Sequence, residues 1–568
     1  MALLRFAASI ASTLGAYALY TLLKVLYQEF TSPLRNVPGP QTDHWLLGNR
    51  KKLLNFDGQE GLWTQEYGRT VRINRLFGFS QLYTTDSKAL QHILSNDYVY
   101  QKPAAGRYFL GRVVGPGVLI VEEDAHKKQR KIMNPAFGPA QLRALTEIFV
   151  EKSRQVNHFL SGAPHHLKWG CVQLRDLWAA KAAESGGVAR LNVIPEFSTA
   201  ALDIIGKAGF NYDFRALGAG SENVRDELHD AFATVSGAGD ISAGLMDIIK
   251  ARIPLLRGAL PNTKIDKVIN GAQATMRRIG LRLLQDSRQK IVDGSSADSV
   301  ASRDLLSLLV RANMAKDITE AQQLSEEDVL AQVPTFLVAG HETNSTAATW
   351  ALFEIAKSAE IQTRLRNELL AVDTENPTMD ELNALPYLDC VVRETQRAHA
   401  PVPISFRVAM RDDIIPLENP YTDRNGTTYE GTGGRTAHFE RKPRSGDLGS
   451  RCRPIHARYL HYQLNLALTS RSPERWERSP AISTSIPGLW SSMLTFLGGP
   501  RACIGFRFSL VELKALLFTL VRSLEFELAV PAADIGRLTM TIVQQPMVRS
   551  DPAAGSQMPI LVKPFTPL

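Results

Sequence analysis

Apolar residues recur along most of this chain at the three- and four-residue spacing typical of helices, and strand-like alternation is sparse. Short runs at 70–73 and 81–84 predict two strands. A long helical run covers 326–357, where Pro334 should bend or split the helix, and an apolar helix is predicted over 506–521. The pattern therefore predicts a mainly α fold with a small β-sheet region.

Two predicted helices carry a capping box in the first turn, in which a hydroxyl and a carboxylate exchange hydrogen bonds with backbone amides. Ser325 pairs in this way with Asp328, and Thr378 pairs with Glu381. Each box stands directly before an apolar-periodic run, so the sequence predicts that a helix starts at both positions.

The amino-terminal segment contains an uncharged apolar run from Phe6 to Leu23. At about 1.5 Å per residue this run reaches roughly 27 Å, which is enough for the hydrocarbon core of a membrane. The flanking basic residues lie mostly on the C-terminal side, which predicts that the rest of the chain is cytosolic. A cleaved signal peptide or a buried helix is the alternative, but the bulky and polar residues at 24–30 do not resemble a cleavage site.

We therefore expect a retained single-pass membrane anchor at residues 1–30. Residues 31–60 begin with three prolines and a glycine between Pro33 and Pro40, which cannot propagate a helix, so a Pro-rich linker is expected there. No further Gly/Ser- or Pro-rich linker divides the chain, and residues 61–568 are predicted to form a single large domain.

Composition narrows the class of protein. The 568 residues carry a formal charge of +8, a modest excess that is no nucleic-acid footprint but permits an acidic partner or an anionic membrane surface. The four cysteines are widely scattered, which argues against a disulfide framework or a zinc knuckle and favours a reducing compartment. They are Cys171, Cys390, Cys452 and Cys503.

The strongest chemical pattern is the stretch 496–505, FLGGPRACIG, which stands directly before the apolar helix. Its glycines let the backbone approach a flat ligand, and Cys503 sits just before a helix N-terminus, where the helix dipole stabilises a thiolate. No second Cys or His lies nearby at ligand spacing, whereas a haem iron needs only one axial thiolate. On these residues alone, a buried structural cysteine at a loop–helix junction is the competing interpretation.

The spacing F-x-G-x-x-R-x-C-x-G resembles the haem-binding motif of the cytochrome P-450 superfamily. The resemblance implies haem b as cofactor, with Cys503 as the axial ligand of its iron and Arg501 beside a haem propionate. The remaining haem-binding positions of the motif are Phe496, Gly498 and Gly505. The sequence style at 420–424 and 494–503 also resembles microsomal family members from basidiomycete fungi.

Upstream, the stretch 339–343, AGHET, resembles the oxygen-binding motif in the central helix of the same family. The resemblance implies that Gly340 lets the backbone pass close over the haem. It also implies that Glu342 and Thr343 form the acid–alcohol pair that delivers protons to dioxygen. A helix that merely carries these residue types is the alternative.

Glu394 and Arg397 match the E-x-x-R motif of the family. The motif alone is ordinary helix decoration, and it is their position after a capping box and before 401–403 that selects this pair. By resemblance, Arg475 of a later P-E-R motif completes a structural triad with them, and Arg407 is a further partner of a propionate.

Family members usually carry W-x-x-x-R near residue 130, with the arginine on a propionate. Here His126 stands in place of the tryptophan, so that contact is altered, while Arg130 keeps its place. The neighbouring lysines Lys127, Lys128 and Lys131 either form a basic face for an acidic reductase or are an ordinary solvated helix face.

The resemblance implies a haem-thiolate monooxygenase anchored in the endoplasmic reticulum membrane with its catalytic domain on the cytosolic side. Such an enzyme inserts one oxygen atom of O2 into a hydrophobic small molecule, and it takes electrons from NADPH through a separate reductase. Terpenoids, steroids, fatty acids and aromatic xenobiotics are the expected substrate classes. The alternatives are an inactive or non-catalytic haem-binding relative, and a member that rearranges peroxides without a reductase, against which the Glu342–Thr343 pair argues.

By resemblance, the substrate pocket is formed by four apolar stretches. They are Tyr108 to Leu119, Phe336 to Thr343, Val402 to Phe406 and Gln544 to Met547. These stretches imply an apolar ligand without identifying it.

Residues 431–472 depart from the family pattern, which has two strands, a turn and a short helix at this point. The segment carries eight basic and two acidic residues, and therefore +6 of the net charge of +8. Either it is a mispredicted exon or retained intron, or it is a genuine basic loop of this lineage. If it is genuine, the loss of the family's strands is expected to weaken the small β-sheet.

Overall fold

The structure is a computed structural model of the chain. It describes residues 29–44, 48–49, 59–74, 79–154, 174–214, 245–253, 257–292, 304–315, 322–423, 426–429, 456–460, 488–490, 493–540 and 543–566, with scattered positions within 1–28 and 227–234 and at 319.

Helices make up most of the described chain. In chain order they are α1 Gln59–Tyr67, α2 Ser87–Ser95, α3 Ala104–Val114, α4 Glu123–Met133, α5 Pro139–Arg154, α6 Leu174–Glu184, α7 Val193–Phe210, α8 Leu245–Arg252, α9 Lys264–Val292, α10 Leu305–Asn313, α11 Glu326–Leu330, α12 Gln332–Ala356, α13 Ala359–Leu370, α14 Met379–Asn383, α15 Pro386–Ala398 and α16 Phe506–Ser523.

The strands are short. They are β1 Thr70–Asn74, β2 Ser80–Thr84, β3 Tyr100–Gln101, β4 Ala189–Asn192, β5 Ile404–Ala409, β6 Tyr421–Thr422, β7 Thr428–Tyr429, β8 His456–Leu460, β9 Gly488–Trp490, β10 Met493–Gly498, β11 Leu524–Leu528, β12 Ile535–Met540, β13 Val543–Val548 and β14 Pro559–Pro564.

These strands form one five-stranded sheet and several smaller ones. The order in the large sheet is β1-β2-β8-β5-β3, with β2 and β8 parallel and the other neighbours antiparallel. A three-stranded sheet has the order β11-β14-β4, and β6–β7, β9–β10 and β12–β13 form two-stranded antiparallel pairs. The predicted mainly α fold with a small β-sheet region is confirmed.

One compact unit comprises Met1–Gln101, Ile404–Tyr462 and Ser485–Pro487, and it holds the five-stranded sheet. The predicted strands at 70–73 and 81–84 are confirmed as β1 and β2. Val71, Ile73 and Tyr83 of these strands pack with Trp63 in a small apolar core.

Asp86 fastens helix α2 to the chain after β5 within this unit. Its fully buried carboxylate caps the helix by accepting from the backbone N–H groups of Lys88 and Ala89 at 3.1 and 3.0 Å. It also accepts from the backbone N–H groups of Glu418 and Asn419 at 3.0 and 2.9 Å. A single side chain therefore satisfies backbone donors of two distant segments.

Strand β8 belongs to the atypical segment 431–472, the rest of which lies outside the described residues. It lies between β2 and β5, and pairs Leu460 with Ile404 and Ala457 with Leu82. The segment therefore supplies a central strand, which differs from the expectation that it weakens the sheet. Five residues in so highly charged a stretch are too few to stand out as a strand by their alternation.

The other compact unit comprises Lys102–Pro403, Gln463–Thr484 and Gly488–Leu568. Helix α12 runs through its core and packs against α7 and α16. Nearly all of α12 from Asn344 to Ile355 is buried, and α16 is buried from Leu510 to Val521. The long apolar run at 506–521 is thus confirmed as a core helix.

The predicted break in the long helical run is confirmed, because α11 ends at Leu330 and α12 begins at Gln332. Pro334 lies in the first turn of α12, where its missing N–H costs no helical hydrogen bond, and its ring excludes a continuous helix past the Leu330 carbonyl. The capping boxes at Ser325 and Thr378 are both present.

Within the part of the chain that the structure describes, no helix has the length and apolar character of a membrane span. Much of the predicted anchor at 6–23 lies outside the described residues. In the predicted linker, Pro33–Asn36 forms one turn of 3-10 helix, and Leu34 and Val37 are buried.

Candidate active site

Cys503 lies in a loop that strand β10 and helix α16 hold at both ends. β10 ends at Gly498, Gly499–Arg501 makes one 3-10 turn, and Gly505 stands directly before α16. The Cys503 N–H donates to the carbonyl of Phe496 at 2.8 Å, which closes the loop on itself.

This reversal needs two residues with left-handed backbone. Gly499 has φ 68°, which glycine adopts without a Cβ penalty. Leu497 has φ 60°, which costs a residue with a side chain roughly 1–2 kcal/mol. The buried neighbours Phe496 and Ala502 hold the strained turn in place, and the Phe496 ring packs against the ring of Trp490.

The Cys503 side chain is exposed although Ala502 and Phe508 beside it are buried. Burial among protein atoms raises the pKa of the Cys503 thiol, while the Gly505 N–H and the charge of Arg130 act in the opposite direction. The thiol is therefore accessible although protein atoms lie around it. A single soft sulfur donor in this position, beside a helix N-terminus, fits an axial bond to a haem iron.

Arg130 and Arg501, two of the predicted propionate partners, meet at this loop. Arg130 donates to the Ala502 carbonyl at 2.7 Å and so fixes α4 to the cysteine loop. Arg501 donates to the Val121 carbonyl at 2.6 Å and forms an ion pair with Glu122. The Arg501 and Glu122 side chains are almost fully buried.

His126 lies one turn before Arg130 on α4 and is buried. Desolvation and the neighbouring positive charges lower the pKa of His126 to about 3, so the imidazole is neutral at physiological pH. These charges belong to Arg501, Lys102 and Arg130. With the Glu122 carboxylate the cluster keeps a net charge of +2, which is equal and opposite to that of the two propionates of haem b.

The basic residues beside this cluster point away from it. Lys127 and Lys131 are exposed and lie one turn apart on α4, and Lys128 is half-buried. The helix therefore presents neutral His126 and Arg130 inward and a pair of lysines to solvent.

Gly340, Glu342 and Thr343 lie in the middle of α12. The Thr343 hydroxyl donates to the Ala339 carbonyl at 2.6 Å, inside its own helix. A Cβ at Gly340 would lie 2.9 Å from two side-chain carbons of Ile205 on α7. The glycine therefore allows α7 and α12 to pack closely, which is a role that the motif alone does not indicate.

Two residues of α12, His341 and Asn344, make polar contacts that the sequence analysis did not predict. His341 Nε2 lies 2.5 Å from Ser198 Oγ and links α12 to α7. Three residues later, Asn344 donates to the Glu512 carboxylate and accepts from the Ser509 hydroxyl at 2.5 Å. Helix α12 is thus joined to the helix that follows Cys503, and the signal available in sequence was Glu512, the single acid of a mostly apolar helix.

Glu394 and Arg397 form a two-pronged ion pair on α15, with N–O distances of 3.0 and 2.8 Å. Arg475, the predicted third member of the triad, lies outside the described residues. Arg407 is in β5, in the other compact unit, where it is buried and donates to Ser405 and to the Phe406 carbonyl at 2.5 and 2.8 Å.

Comparison with known proteins decides the family. The cytochrome P-450 family model matches residues 38–421, which is more than half of the chain. The chain belongs to the cytochrome P-450 family. This P-450 is 43% identical over 562 residues to cytochrome P-450 monooxygenase 205 of Postia placenta, with 97% of this chain and 96% of the relative covered.

Further relatives place this P-450 among fungal monooxygenases. It is 42% identical to cytochrome P-450 monooxygenase 128 of Postia placenta, with 97% and 96% covered. It is 28% identical to cytochrome P-450 monooxygenase claW of Ampulloclitocybe clavipes, with 96% and 95% covered. This P-450 is therefore a monooxygenase, the predicted likeness to basidiomycete enzymes is confirmed, and the family implies a haem with a thiolate on its iron.

Proposed function

We propose that this P-450 inserts one oxygen atom of O2 into a hydrophobic small molecule of the terpenoid, steroid or aromatic class. In this proposal NADPH supplies the electrons through a separate reductase, and the chain is held by one span in the endoplasmic reticulum membrane with its catalytic part in the cytosol. The observation that carries the proposal is Cys503, an accessible thiol beside a helix N-terminus, in a loop that contains Arg501 and accepts a hydrogen bond from Arg130.

The residues around Cys503 would hold the cofactor. The Cys503 sulfur would be the protein donor to the iron. Arg130 is hydrogen-bonded to the loop that carries it, and Arg501 is part of that loop. Their charge, together with neutral His126, suits the two propionates. When bound, the haem supplies the activation of dioxygen and the transfer of one oxygen atom to the substrate.

Glu342 and Thr343 would bring the protons that this chemistry consumes. The Thr343 hydroxyl gives its own proton to the Ala339 carbonyl, so its oxygen keeps its lone pairs as acceptors for an incoming donor. Glu342, next to it and half-buried on the same helix, is an acid that can exchange protons with water. The pair would therefore combine a hydroxyl acceptor and an acid on adjacent residues of α12.

Apolar residues support a hydrophobic substrate. Val118, Leu119 and Ile120 follow α3 and are partly buried, and Phe336 lies buried on α12 between the rings of Phe137 and Phe210. A pocket with such walls binds ligands mainly by removing apolar surface from water.

Two surface features support the proposed reductase partner and the proposed membrane anchor. Lys127 and Lys131 form an exposed basic pair on α4, which suits an acidic reductase because complementary charges steer the encounter. Near the N-terminus, large apolar side chains are exposed to solvent, as expected of a segment that lies in lipid. They are Tyr17, Leu19, Tyr20, Leu23, Leu26 and Tyr27.

The reduced-minus-CO difference spectrum of the chain expressed in yeast microsomes tests the cofactor. We expect a strongly red-shifted Soret band, which Cys503→Ser abolishes. Cys390→Ser is the matched control, because Cys390 is a buried free cysteine on α15. An unshifted band in the unaltered chain would contradict the proposal. Substrate oxidation that needs both NADPH and added reductase, and that Lys127→Glu with Lys131→Glu slows, then tests the electron source.

The competing hypothesis is a non-catalytic relative whose core is broken by 431–472. β8 speaks against it, because this segment supplies the strand between β2 and β5. A chain without a red-shifted band, but with normal helical content, would favour that hypothesis instead.

A further inference from the structure

We propose that two buried amides, Gln129 of α4 and Gln332 of α12, clamp the loop 115–121 and thereby decide which ligands fit beside the haem. The inference rests on the proposed function, because it concerns the ligand selectivity of the same site. It assigns both glutamines as positioning residues.

The clamp is a closed hydrogen-bond network. Gln332 Oε1 accepts from the Val118 N–H at 3.1 Å, and its Nε2 donates to Gln129 Oε1 at 3.2 Å and to the Asp328 carbonyl at 2.7 Å. Gln129 Nε2 donates to the Pro116 carbonyl at 3.3 Å and to the Asp328 carboxylate at 3.2 Å. Both amides are buried, and every polar atom of each has a partner.

The loop lies directly against the first turns of α12. A Cβ at Gly117 would lie 2.8 Å from the Ala331 carbonyl and nearer still to Thr335 Oγ1. Gly115 opens the loop with φ 69°, which favours glycine. The close approach at Gly117 therefore sets how near the loop lies to α12. The hydrogen bond from Val118 to Gln332 then limits movement of the loop along the helix.

The far end of the loop is attached to the cysteine loop. Arg501, which precedes Cys503 by two residues, donates to the Val121 carbonyl at 2.6 Å. The stretch 118–120 therefore spans from the helix of the oxygen motif to the loop of the predicted iron ligand. Its Val, Leu and Ile side chains are partly buried, and a ligand held between the two elements meets them.

Gln332 is the weak point of this arrangement, because among the described residues its side chain is the only group of α12 that accepts from a backbone N–H in the middle of the loop. If that acceptor is removed, the partly buried Val118 N–H must find another partner. The loop then shifts, and the apolar wall shifts with it. Such a shift alters the shape of the pocket and not its charge, so it should change the affinity for large ligands more than that for small ones.

The test compares Gln332→Met with the unaltered holoenzyme in titrations with imidazole and 4-phenylimidazole, followed by the Soret shift. We expect the red-shifted CO band to persist, while the ratio of the two dissociation constants changes by roughly tenfold, the order expected when an apolar pocket gains or loses about one methylene of room. Gln362→Met is the matched control. Gln362 is also buried, and its amide exchanges two 2.9 Å hydrogen bonds with the Phe526 backbone. That change removes an equivalent network elsewhere, and the ratio should stay within about twofold.

Hydrogen exchange across 116–121, measured by mass spectrometry, tests the clamp without relying on haem. We expect faster exchange at Val118 in Gln332→Met and unchanged exchange there in Gln362→Met. An unaltered chain that lacks the red-shifted CO band would defeat the proposed function, and the exchange comparison would still decide the clamp. Equal exchange in Gln332→Met and the unaltered chain would overturn the clamp, as would an unchanged ratio of dissociation constants.

Discussion

Glu512 offers the sharpest test of the electrostatics of the core. It lies on α16, nine residues after Cys503, and is fully buried. One of its oxygens accepts from Asn344, and the other has no hydrogen-bond partner. Burial therefore raises the pKa of Glu512 well above its usual value, and the hydrogen bond from Asn344 only partly offsets this.

The stability of the chain then depends on pH in a defined direction. Between the pKa of Glu512 in the unfolded chain and its raised pKa in the folded chain, the folded state binds more protons. Stability is therefore greatest below the unfolded pKa and falls as pH rises, by up to about 1.4 kcal/mol per pH unit. Glu512→Gln replaces the protonated acid by an isostere that does not titrate, and this slope disappears. Between pH 5.5 and 7.5, the free energy of unfolding of the variant should therefore rise relative to that of the parent by up to about 2.7 kcal/mol.

Thermal unfolding of the detergent-solubilised holoenzyme, followed by far-UV circular dichroism, measures the effect. For a protein of this length the gain corresponds to about 2 °C in Tm between the two pH values. Ser509→Ala is the control, because it breaks the neighbouring 2.5 Å hydrogen bond to Asn344 without removing a titrating group. Its Tm should be lowered equally at each pH. A Tm difference between Glu512→Gln and the parent that does not change with pH would refute the reasoning.

Three further changes probe the framework. Asp86→Ala leaves backbone donors of two segments without their acceptor, and should cost about 1–3 kcal/mol of stability, read as a lowered Tm. Gly340→Val drives a side chain into Ile205 and should cost about 1–3 kcal/mol and reduce the haem-to-protein ratio, with recovery in the double variant that also carries Ile205→Ala. Acidification should destabilise the buried pair of His399 and Glu354. Desolvation lowers the pKa of His399, and the hydrogen bond from His399 lowers the pKa of Glu354 although burial opposes it, so the unfolded chain binds more protons and stability falls as pH drops below about 6.5. His399→Gln should show a smaller loss of Tm between pH 7.5 and 5.5, and an equal loss would contradict the assignment.

Features that depend on residues close together in the chain could be predicted from sequence. The capping boxes at Ser325 and Thr378 involve partners three residues apart, and so does the Glu394–Arg397 pair. Pro334 breaks the helix through its own ring and missing N–H. The cysteine loop is of the same kind, because Cys503 bonds to a carbonyl only seven residues earlier.

Features that depend on tertiary contacts could not be predicted in this way. Gly340 faces Ile205, more than a hundred residues earlier in the chain, and no local pattern indicates which helix a glycine approaches. The ion-pair partner of Arg501 is Glu122, the residue directly before α4, and an acid at the start of a helix is too common to indicate such a contact. Strand β8 was not predicted, because five residues in a highly charged segment show too little alternation of apolar and polar positions to indicate a strand.

The two kinds of feature meet at the cysteine loop. Its conformation is local, but Leu497 is strained there, and the loop persists because distant groups hold it: Arg130 bonds to Ala502, and Arg501 bonds to Val121. Both restraints are cations withdrawn from solvent, Arg501 almost fully and Arg130 in part. Such charges are costly without a counter-charge, and Glu122 neutralises only one unit of the cluster. The groups that shape the cysteine loop are therefore those that an anionic cofactor would stabilise, so the formation of this loop and the binding of a dianionic haem are thermodynamically linked.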